Sequence, residues 1–274
     1  MARSAPYSEV TPKAIRRIIL EQAKRANVGH IGSALSIADI VAVIFSGRLE
    51  LQSDGSEDPA VRNRFVLSKG HAALALYAAL FLQGRMGKAT LDTYCGNGSH
   101  LGVHPEKDLE GVDFSTGSLG QGLSMGAGAA LAMRLKGNPG KVRVLISDAE
   151  LNEGSTWEAI MFAAHWKLDN LEVILDLNGQ QALGRTKEVM EIADPISRWE
   201  GFGWKVRESD GHDPDALLQN LEAMGRSNGR PQVLIARTVC GKGVSFMEST
   251  IKWHYWPLSE LEYAKAMAEV EQAA

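Results

Sequence analysis

Two polar residues, Asp148 and Asn178, each follow a short apolar run that is typical of a buried β-strand, at 142–146 and 172–177. Apolar residues recur at helical spacing between the two runs. A strand, a helix and a second strand in this order predict a parallel βαβ unit. Both polar residues should therefore lie at the carboxyl edge of one sheet, where ligands bind in open α/β folds.

A carboxylate and a side-chain amide at that edge would offer oxygen ligands, which suit Mg²⁺. The alternative is that Asp148 caps a loop and that Asn178 forms a turn with Gly179. Either residue alone favours this alternative. The pair, held at one sheet edge, favours a metal site.

Histidines and a glycine-rich turn supply further candidate groups. His71 ends a predicted strand and should lie at the same edge as Asp148, and the loop at 96–110 carries His100 and His104. Residues 115–122 are glycine-rich and open a helix, so their backbone N–H groups could face an anion. The turn fits neither the P-loop nor the Rossmann pattern, and a tight turn before a closely packed helix is an equally good interpretation.

The elements that must position these groups alternate along the chain. The predicted strands are 64–68, 111–114, 142–146, 172–177, 204–208 and 232–239. The main predicted helices are 12–27, 37–45, 72–83, 123–133, 156–168, 213–225 and 260–272, with a polar loop at 52–63. This alternation predicts one α/β domain over 1–274, with a mainly parallel sheet of about six strands, helices on both faces and a C-terminal helix at about 260–272.

Local patterns predict how several helices begin and pack. Capping boxes are predicted at Ser36 with Asp39, at Ser155 with Glu158 and at Ser259 with Glu262. The small residues at 126–130 predict close backbone packing against a neighbouring element. His165 and His212 are interpreted as structural histidines.

The composition excludes several classes of protein. With 45% hydrophobic and 23% charged residues, a net charge of -4 and no clustered basic run, the chain is typical of a globular protein that binds no nucleic acid. Its two cysteines, Cys95 and Cys240, fit a reducing compartment. The longest apolar run, 72–82, is shorter than the about 20 residues that span a bilayer, and residues 1–10 lack the apolar core of a signal peptide. We therefore expect no membrane association and a cytoplasmic location.

The segment 147–178 resembles the thiamine diphosphate motif of transketolases, which begins Gly-Asp-Gly and ends about thirty residues later in Asn. Asp148 and Asn178 keep that spacing, but Ser147 and Ala149 replace both glycines. Ala149 keeps a backbone N–H for a phosphate, while its methyl group narrows the approach. Further segments resemble family motifs in the family's order: Gly29–Gly32, Ser68–His71, His104–Glu106, Ser115–Gly122 and Lys242–His254.

The resemblance implies thiamine diphosphate as cofactor, with Mg²⁺ or another divalent cation such as Ca²⁺ or Mn²⁺. It implies metal binding by Asp148, Asn178 and the backbone carbonyl of Gln180. The implied diphosphate contacts come from His71 and His254 and from the backbone of Gly117, Ser118, Leu119 and Ala149. The implied substrate-binding and proton-transfer residues are His30, His104 and His254. Glu153 matches an acid near the family's subunit junction, or is a first-turn acid favoured by the helix dipole.

The resemblance covers only the N-terminal, diphosphate-binding part of transketolases. It implies that the chain transfers a two-carbon ketol unit from a ketose, expected to be phosphorylated, to an aldose. It also implies a separate partner subunit with the pyrimidine-binding and C-terminal domains, in a heterotetramer. The alternatives are a non-catalytic or regulatory subunit, or the first half of an enzyme like 1-deoxyxylulose-phosphate synthase or the pyruvate dehydrogenase E1 component.

Overall fold

Strands and helices alternate along the chain, and this computed structural model describes residues 10–47, 49, 61–225 and 229–272. Most of the predicted polar loop at 52–63 lies outside these residues. The helices are α1 Pro12–Ala26, α2 Ile31–Ser36, α3 Ala38–Phe45, α4 Ala73–Leu82, α5 Lys88–Leu91, α6 Gln121–Leu135, α7 Gly154–His165, α8 Thr186–Val189, α9 Pro195–Gly201, α10 Pro214–Met224, α11 Lys252–Tyr255 and α12 Glu260–Gln272. The strands are β1 Arg64–Leu67, β2 Val142–Ser147, β3 Leu171–Leu177, β4 Gln180–Gln181, β5 Gly184–Arg185, β6 Lys205–Asp210 and β7 Gln232–Arg237. No helix within the described ranges is long and apolar enough to cross a membrane.

The main sheet is parallel, with the strand order β1-β2-β3-β7-β6. Strands β2 and β3 are direct neighbours joined through α7, which confirms the predicted βαβ unit, and their register sets Ser147 opposite Asp176. The short strands β4 and β5 form a separate antiparallel pair just after β3. The carboxyl ends of β1, β2, β3 and β7 therefore meet at one edge of the sheet.

The predicted strand at 111–114 is wrong, and among the described residues the main sheet has five strands, where about six were predicted. This segment lies beside β1 and attaches to it through a side chain instead of a backbone ladder. The carboxylate of Asp113 accepts hydrogen bonds from the backbone N–H of Phe65 at 3.1 Å and from the guanidinium of Arg64 at 3.0 Å. The segment therefore resembles a strand in sequence, but it contacts the edge strand β1 only through the side chain of its acid.

Two hydrophobic cores cover the two faces of the sheet, which confirms the prediction of helices on both faces. Leu145 and Ile174 point into a core built with α1 to α4, α10 and α12. Their neighbours Val144 and Val173 point into a second core with α6, α7 and α9. Strands buried on both faces are typical of parallel sheets, and this explains why β2 and β3 read as continuous apolar runs.

One of the three predicted capping boxes is confirmed. Ser259 and Glu262 exchange hydrogen bonds at the start of α12, between backbone N–H and side chain in each direction. The other two are wrong because neither serine is at an N-cap: Ser36 is the last residue of α2, and Ser155 lies inside α7. The hydroxyl of Ser36, at the end of α2, donates to Asp176, and that of Ser155 donates to the carbonyl of Gly120 at 3.0 Å.

Candidate functional site

A cavity of about 200 Å³ opens at the carboxyl edge of the sheet, between the loops that follow β1, β2, β3 and β7. This is the position at which open α/β sheets bind ligands. Its wall is formed by His30, Ser33, Lys69, His71, His104, Gly117, Leu119, Ser147, Ala149, Asn178, Gln180, Gln181, Ala182, Cys240 and His254.

The acid and the amide singled out in the sequence lie on neighbouring loops at this cavity: Asn178 lines its wall, and Asp148 is buried between the wall residues Ser147 and Ala149. Asp148 follows β2 directly, in a short 3₁₀ helix, and Asn178 follows β3. Oδ2 of Asp148 accepts hydrogen bonds from the backbone N–H of Gly179 at 2.8 Å and from the hydroxyl of Thr186 at 3.1 Å. The two loops are thus tied together at the position of the proposed cation ligands.

The donor set fits a divalent cation. Oδ1 of Asp148 is buried and has no hydrogen-bond partner among the described residues. Oδ1 of Asn178 accepts the backbone N–H of Gln180 at 2.9 Å and keeps a second lone pair. In the described part of the chain, no group of three or more histidine, cysteine, aspartate or glutamate side chains could hold a metal ion by itself. A cation here would therefore need amide, carbonyl and phosphate oxygens, which is the coordination that Mg²⁺ favours.

The electrostatics of Asp148 also favour a cation. Burial, and to a lesser degree the charge of Asp176, raise the pKa of Asp148 to about 7. A divalent cation beside the carboxylate would stabilise its ionised form and offset the repulsion between the two acids.

The residues that replace the expected glycines are compatible with the backbone. Ser147 is extended, with φ -100° and ψ 162°, and Ala149 lies within a 3₁₀ helix. Neither has a positive φ, so an L-residue is unstrained at both positions. Both residues line the cavity, so the change from glycine affects the cavity wall.

Three histidines from separate elements form one cluster at the cavity. His30 precedes α2 with φ 60°, His71 lies in the 3₁₀ turn after β1, and His254 lies in α11. Their ring centroids are 5.0 Å apart for His30 and His254, 5.5 Å for His71 and His254, and 5.6 Å for His30 and His71. His71 also shares a hydrogen bond of 2.8 Å between Nε2 and the hydroxyl of Ser33.

The three clustered imidazoles are held in their neutral form. Burial lowers the pKa of His254 to about 4, with a smaller contribution from His30. Burial, and then the charge of Lys69, place the pKa of His71 well below its usual value, and burial also lowers the pKa of His30. A neutral imidazole has one donor and one acceptor nitrogen, so the cluster can both bind hydroxyl groups and accept protons.

The glycine-rich turn before α6 packs against the loop that carries His71. A Cβ atom on Gly70 would lie 2.8 Å from the backbone nitrogen of Gly117, and one on Gly117 would lie 3.0 Å from the ring of His104. The first distance admits only glycine at position 70, and the second would force the His104 ring to shift. Gly117 and Leu119, both from this turn, line the cavity.

Some predicted site residues do not line the cavity. Ser118 is exposed, and Glu153 is exposed at the residue before α7, where it packs against Gly120. His100 is also exposed and away from the wall, whereas His104 lies at the exposed rim. His212 has a structural contact, with Nδ1 2.7 Å from the carboxylate of Asp39.

Glu150 is a buried residue of the site that sequence reasoning missed. One carboxylate oxygen accepts hydrogen bonds from the hydroxyl of Ser68 and from the N–H of Gly120 at 2.9 Å, and the other accepts the N–H of Ser147 at 2.9 Å. The single side chain thus ties together three loops that form the cavity. Ser147 and Glu150 form a capping box, a spacing that could have revealed it.

Lys69 and Asp176 were also missed, and they form an ion pair in which both side chains are fully buried. Lys69 contributes to the cavity wall, and Asp176 lies behind Asn178. In the sequence, Asp176 is a charged residue inside an apolar strand and Lys69 belongs to the Ser68–His71 motif, but neither was assigned a role. Ser33, Cys240, Gln181 and Ala182 complete the unpredicted part of the wall.

Comparison with known proteins gives one family for nearly the whole chain. Residues 8–271 match the family model described as transketolase, thiamine diphosphate binding domain. The chain is 38% identical over 259 residues to a subunit of the 6-deoxy-6-sulfo-D-fructose transketolase of Clostridium sp. (strain MSTE9), covering 94% of each chain. It is 37% identical over 257 residues to a subunit of the apulose-4-phosphate transketolase of Phocaeicola vulgatus, covering 94% of this chain and 91% of that one.

The fold is similar to a larger solved protein as well. Transketolase from Leishmania mexicana superposes with a TM-score of 0.86 at 28% identity, over 98% of this chain and 42% of that one. The chain therefore matches nearly the full length of the two separate subunits but less than half of the solved transketolase.

Proposed function

The chain belongs to the transketolase family, and on that premise we propose how its residues contribute to catalysis. It is the thiamine diphosphate-binding subunit of a two-chain transketolase, a transferase that moves a two-carbon ketol unit from a ketose to an aldose. The relatives reported above are transketolases or their subunits. They give no support to a regulatory subunit, or to a chain of the deoxyxylulose-phosphate synthase or pyruvate dehydrogenase kind.

The observation that carries the proposal is the hydrogen bond from the backbone N–H of Gly179, next to the wall residue Asn178, to the buried carboxylate of Asp148, whose Oδ1 is left without a partner. The side chains of Asp148 and Asn178 and the carbonyl of Gln180 would hold Mg²⁺, or Ca²⁺ or Mn²⁺ in its place. When bound, thiamine diphosphate supplies the electron sink for cleaving the bond next to the carbonyl.

The surrounding residues would bind the diphosphate. The N–H groups of His71 and His254 would donate to its oxygens, together with the backbone N–H groups of Gly117, Leu119 and Ala149. Ser118 belongs to the same turn and would contribute through its backbone. Glu153 would lie at the junction with the partner subunit, since it is exposed in front of α7.

Histidine side chains would bind the sugar. His30, His104 and His254 would contact the hydroxyl and carbonyl groups of the substrates and exchange protons with them, which is the chemistry that imidazole side chains perform in enzymes. The two subunit relatives are named for a sulfonated ketose and a phosphorylated one. This supports a ketose substrate with an anionic group, for which we propose a phosphate.

The partner would carry the pyrimidine-binding and C-terminal domains, in a heterotetramer with two copies of each chain. The naming of the relatives as subunits and the coverage of 42% of a solved transketolase support a separate second chain. We also propose a cytoplasmic location, which the use of only two cysteines supports.

Reconstitution tests the proposal. The chain, its partner and the two together are assayed for ketol transfer from a ketose phosphate to an aldose, with thiamine diphosphate and Mg²⁺. We expect transfer only when both chains are present. Transfer by this chain alone would contradict the proposal.

Two histidines of one loop give a matched control. His104→Ala removes an imidazole at the cavity rim, and kcat/KM of the complex should fall by about 10²- to 10⁴-fold. His100→Ala changes an exposed histidine away from the wall and should leave kcat/KM unchanged. Equal effects of the two variants would remove His104 from the proposed site.

A further inference from the structure

Asp176 is the centre of a buried hydrogen-bond network directly behind Asn178. Its Oδ1 accepts from the hydroxyl of Ser36 at 2.8 Å and from the hydroxyl of Thr238. Its Oδ2 accepts from the ammonium of Lys69 and from the side-chain amide of Asn178, the latter at 2.9 Å. The carboxylate is fully buried, so protein groups replace the water that would otherwise solvate it.

This network determines which way the amide of Asn178 faces. Its Nδ2 also lies 3.3 Å from the hydroxyl oxygen of Ser36, whose proton is directed to Asp176. Both neighbours of Nδ2 therefore present acceptors, and only the NH₂ end of an amide can face them. The carbonyl end must point the other way, toward the backbone N–H of Gln180.

Lys69 makes the arrangement possible by supplying the counter-charge. A buried carboxylate without a cation is strongly destabilised, and the ammonium of Lys69 contacts the same Oδ2 that holds the amide. The ammonium also donates to the carbonyl of Ser33 at 3.3 Å, and the hydroxyl of Ser33 contacts His71. Hydrogen bonds thus connect the ion pair to Asn178 and, through Ser33, to His71, which both line the cavity.

We propose that Asp176, with Lys69 as its counter-ion, is a positioning residue that locks the Asn178 amide with its oxygen toward the cation site. The inference rests on the proposed function, in which Asn178 is a cation ligand. Loss of the carboxylate lets the amide rotate and present NH₂ to the cation, which repels it. Residues that orient metal ligands in this manner typically change metal affinity by about 10- to 100-fold when replaced.

The test is Mn²⁺ binding to the assembled two-chain complex at fixed thiamine diphosphate, measured from free Mn²⁺ by electron paramagnetic resonance. Asp176→Leu, which removes both acceptor oxygens at a similar side-chain volume, should raise the Kd of Mn²⁺ by about 10- to 100-fold. Because Asp176→Leu leaves the Lys69 charge unpaired, the double variant Lys69→Met, Asp176→Leu is measured as well, and it should show the same loss. The KM of the ketose for Asp176→Leu, measured at saturating Mn²⁺, should match that of wild type, because Asp176 is not part of the cavity wall.

A buried ion pair on the same strand provides the matched control. Glu172 lies at the other end of β3, is fully buried and pairs with Arg143 at 2.6 Å. Glu172→Gln breaks that pair far from the cavity and should leave the Kd of Mn²⁺ unchanged. An equal rise in Kd for Glu172→Gln would reduce Asp176 to a general packing role and overturn the inference.

The remaining outcomes distinguish a failure of the positioning role of Asp176 from a failure of the proposed function. If the wild-type complex binds Mn²⁺ and the folded double variant binds it with the same Kd, the positioning role is wrong while the proposed function stands. If the wild-type complex binds no Mn²⁺ with thiamine diphosphate, the proposed function is wrong and the positioning role falls with it.

Discussion

Neutral histidines are the main chemical feature at the scale of single residues. His30, His71 and His254 lie within ring-centroid distances of 5.6 Å or less, and burial lowers the pKa of each. Packing three imidazoles together would be unfavourable if they were charged, because like charges in a partly buried site repel. The cluster therefore makes the fold sensitive to acid.

The acid sensitivity of His254 has a definite sign. Its pKa is about 4 in the folded chain and about 6.5 when unfolded, so the unfolded state binds more protons between these values. The contribution of neutral His254 to stability is complete above pH 6.5 and is lost as the pH falls toward 4. Asp148, whose folded pKa of about 7 is raised, contributes the opposite slope. Only a comparison of variants isolates the histidine.

We therefore predict that His254→Gln reduces the loss of unfolding free energy between pH 6.5 and pH 4. Allowing for the partly solvent-exposed ring, the difference from wild type should be on the order of 1–2 kcal/mol. Urea denaturation of the purified chain at the two pH values measures it. His165→Gln, at an exposed site in α7, is the control. Identical slopes for wild type and His254→Gln would show that His254 is not held neutral.

Close approach of a helix to the sheet is the decisive feature at the scale of elements. Helix α6 begins at the glycine-rich turn of the site and packs on β2, whose carboxyl end leads to Asp148. A Cβ atom at Gly126 would lie 2.4 Å from a methyl group of Val144, while one at Gly128 would have no neighbour within 4 Å. The sequence predicted close packing at 126–130, and the structure locates it at Gly126.

The two glycines of α6 give opposite predictions for the same substitution. Gly126→Ala should destabilise the chain by about 1–3 kcal/mol, because the added methyl group overlaps β2. Gly128→Ala should be neutral or stabilising by up to about 1 kcal/mol, because alanine favours the helix and meets open space. Thermal unfolding of the purified variants measures both. Equal shifts of Tm would contradict the packing of α6 on β2.

Local patterns predicted the elements better than they predicted the side-chain networks. The runs that became β2 and β3 were recognisable because both faces of a parallel strand are buried. Residues 111–114 were wrongly predicted as a strand because this segment contacts β1 through the Asp113 side chain and not through backbone pairing. Asp176 was missed because its partners are remote, with Lys69 107 residues away and Ser36 140 residues away. Contacts between residues so far apart in the sequence leave no periodic pattern from which they could be predicted.

At the scale of the whole molecule, we propose that this chain supplies one part of a site shared with a partner subunit. Its cavity of about 200 Å³ is bounded by loops at one sheet edge, and the solved transketolase that it resembles is more than twice as long. The contributions of the two chains to the site can be assigned on this basis. The described residues provide an acid, an amide and neutral imidazoles, and we assign the remaining contacts with the cofactor and the sugar to the partner subunit.

Calorimetric titration of the assembled complex with thiamine diphosphate, with and without Mg²⁺, tests the central claim most directly. The account predicts Mg²⁺-dependent binding by wild type and its complete loss in Asp148→Ala, because the unpartnered Oδ1 is then missing. Asp194→Ala, which removes the exposed cap of α9, should bind like wild type. Wild-type affinity in Asp148→Ala, or no binding by the wild-type complex, would contradict the account.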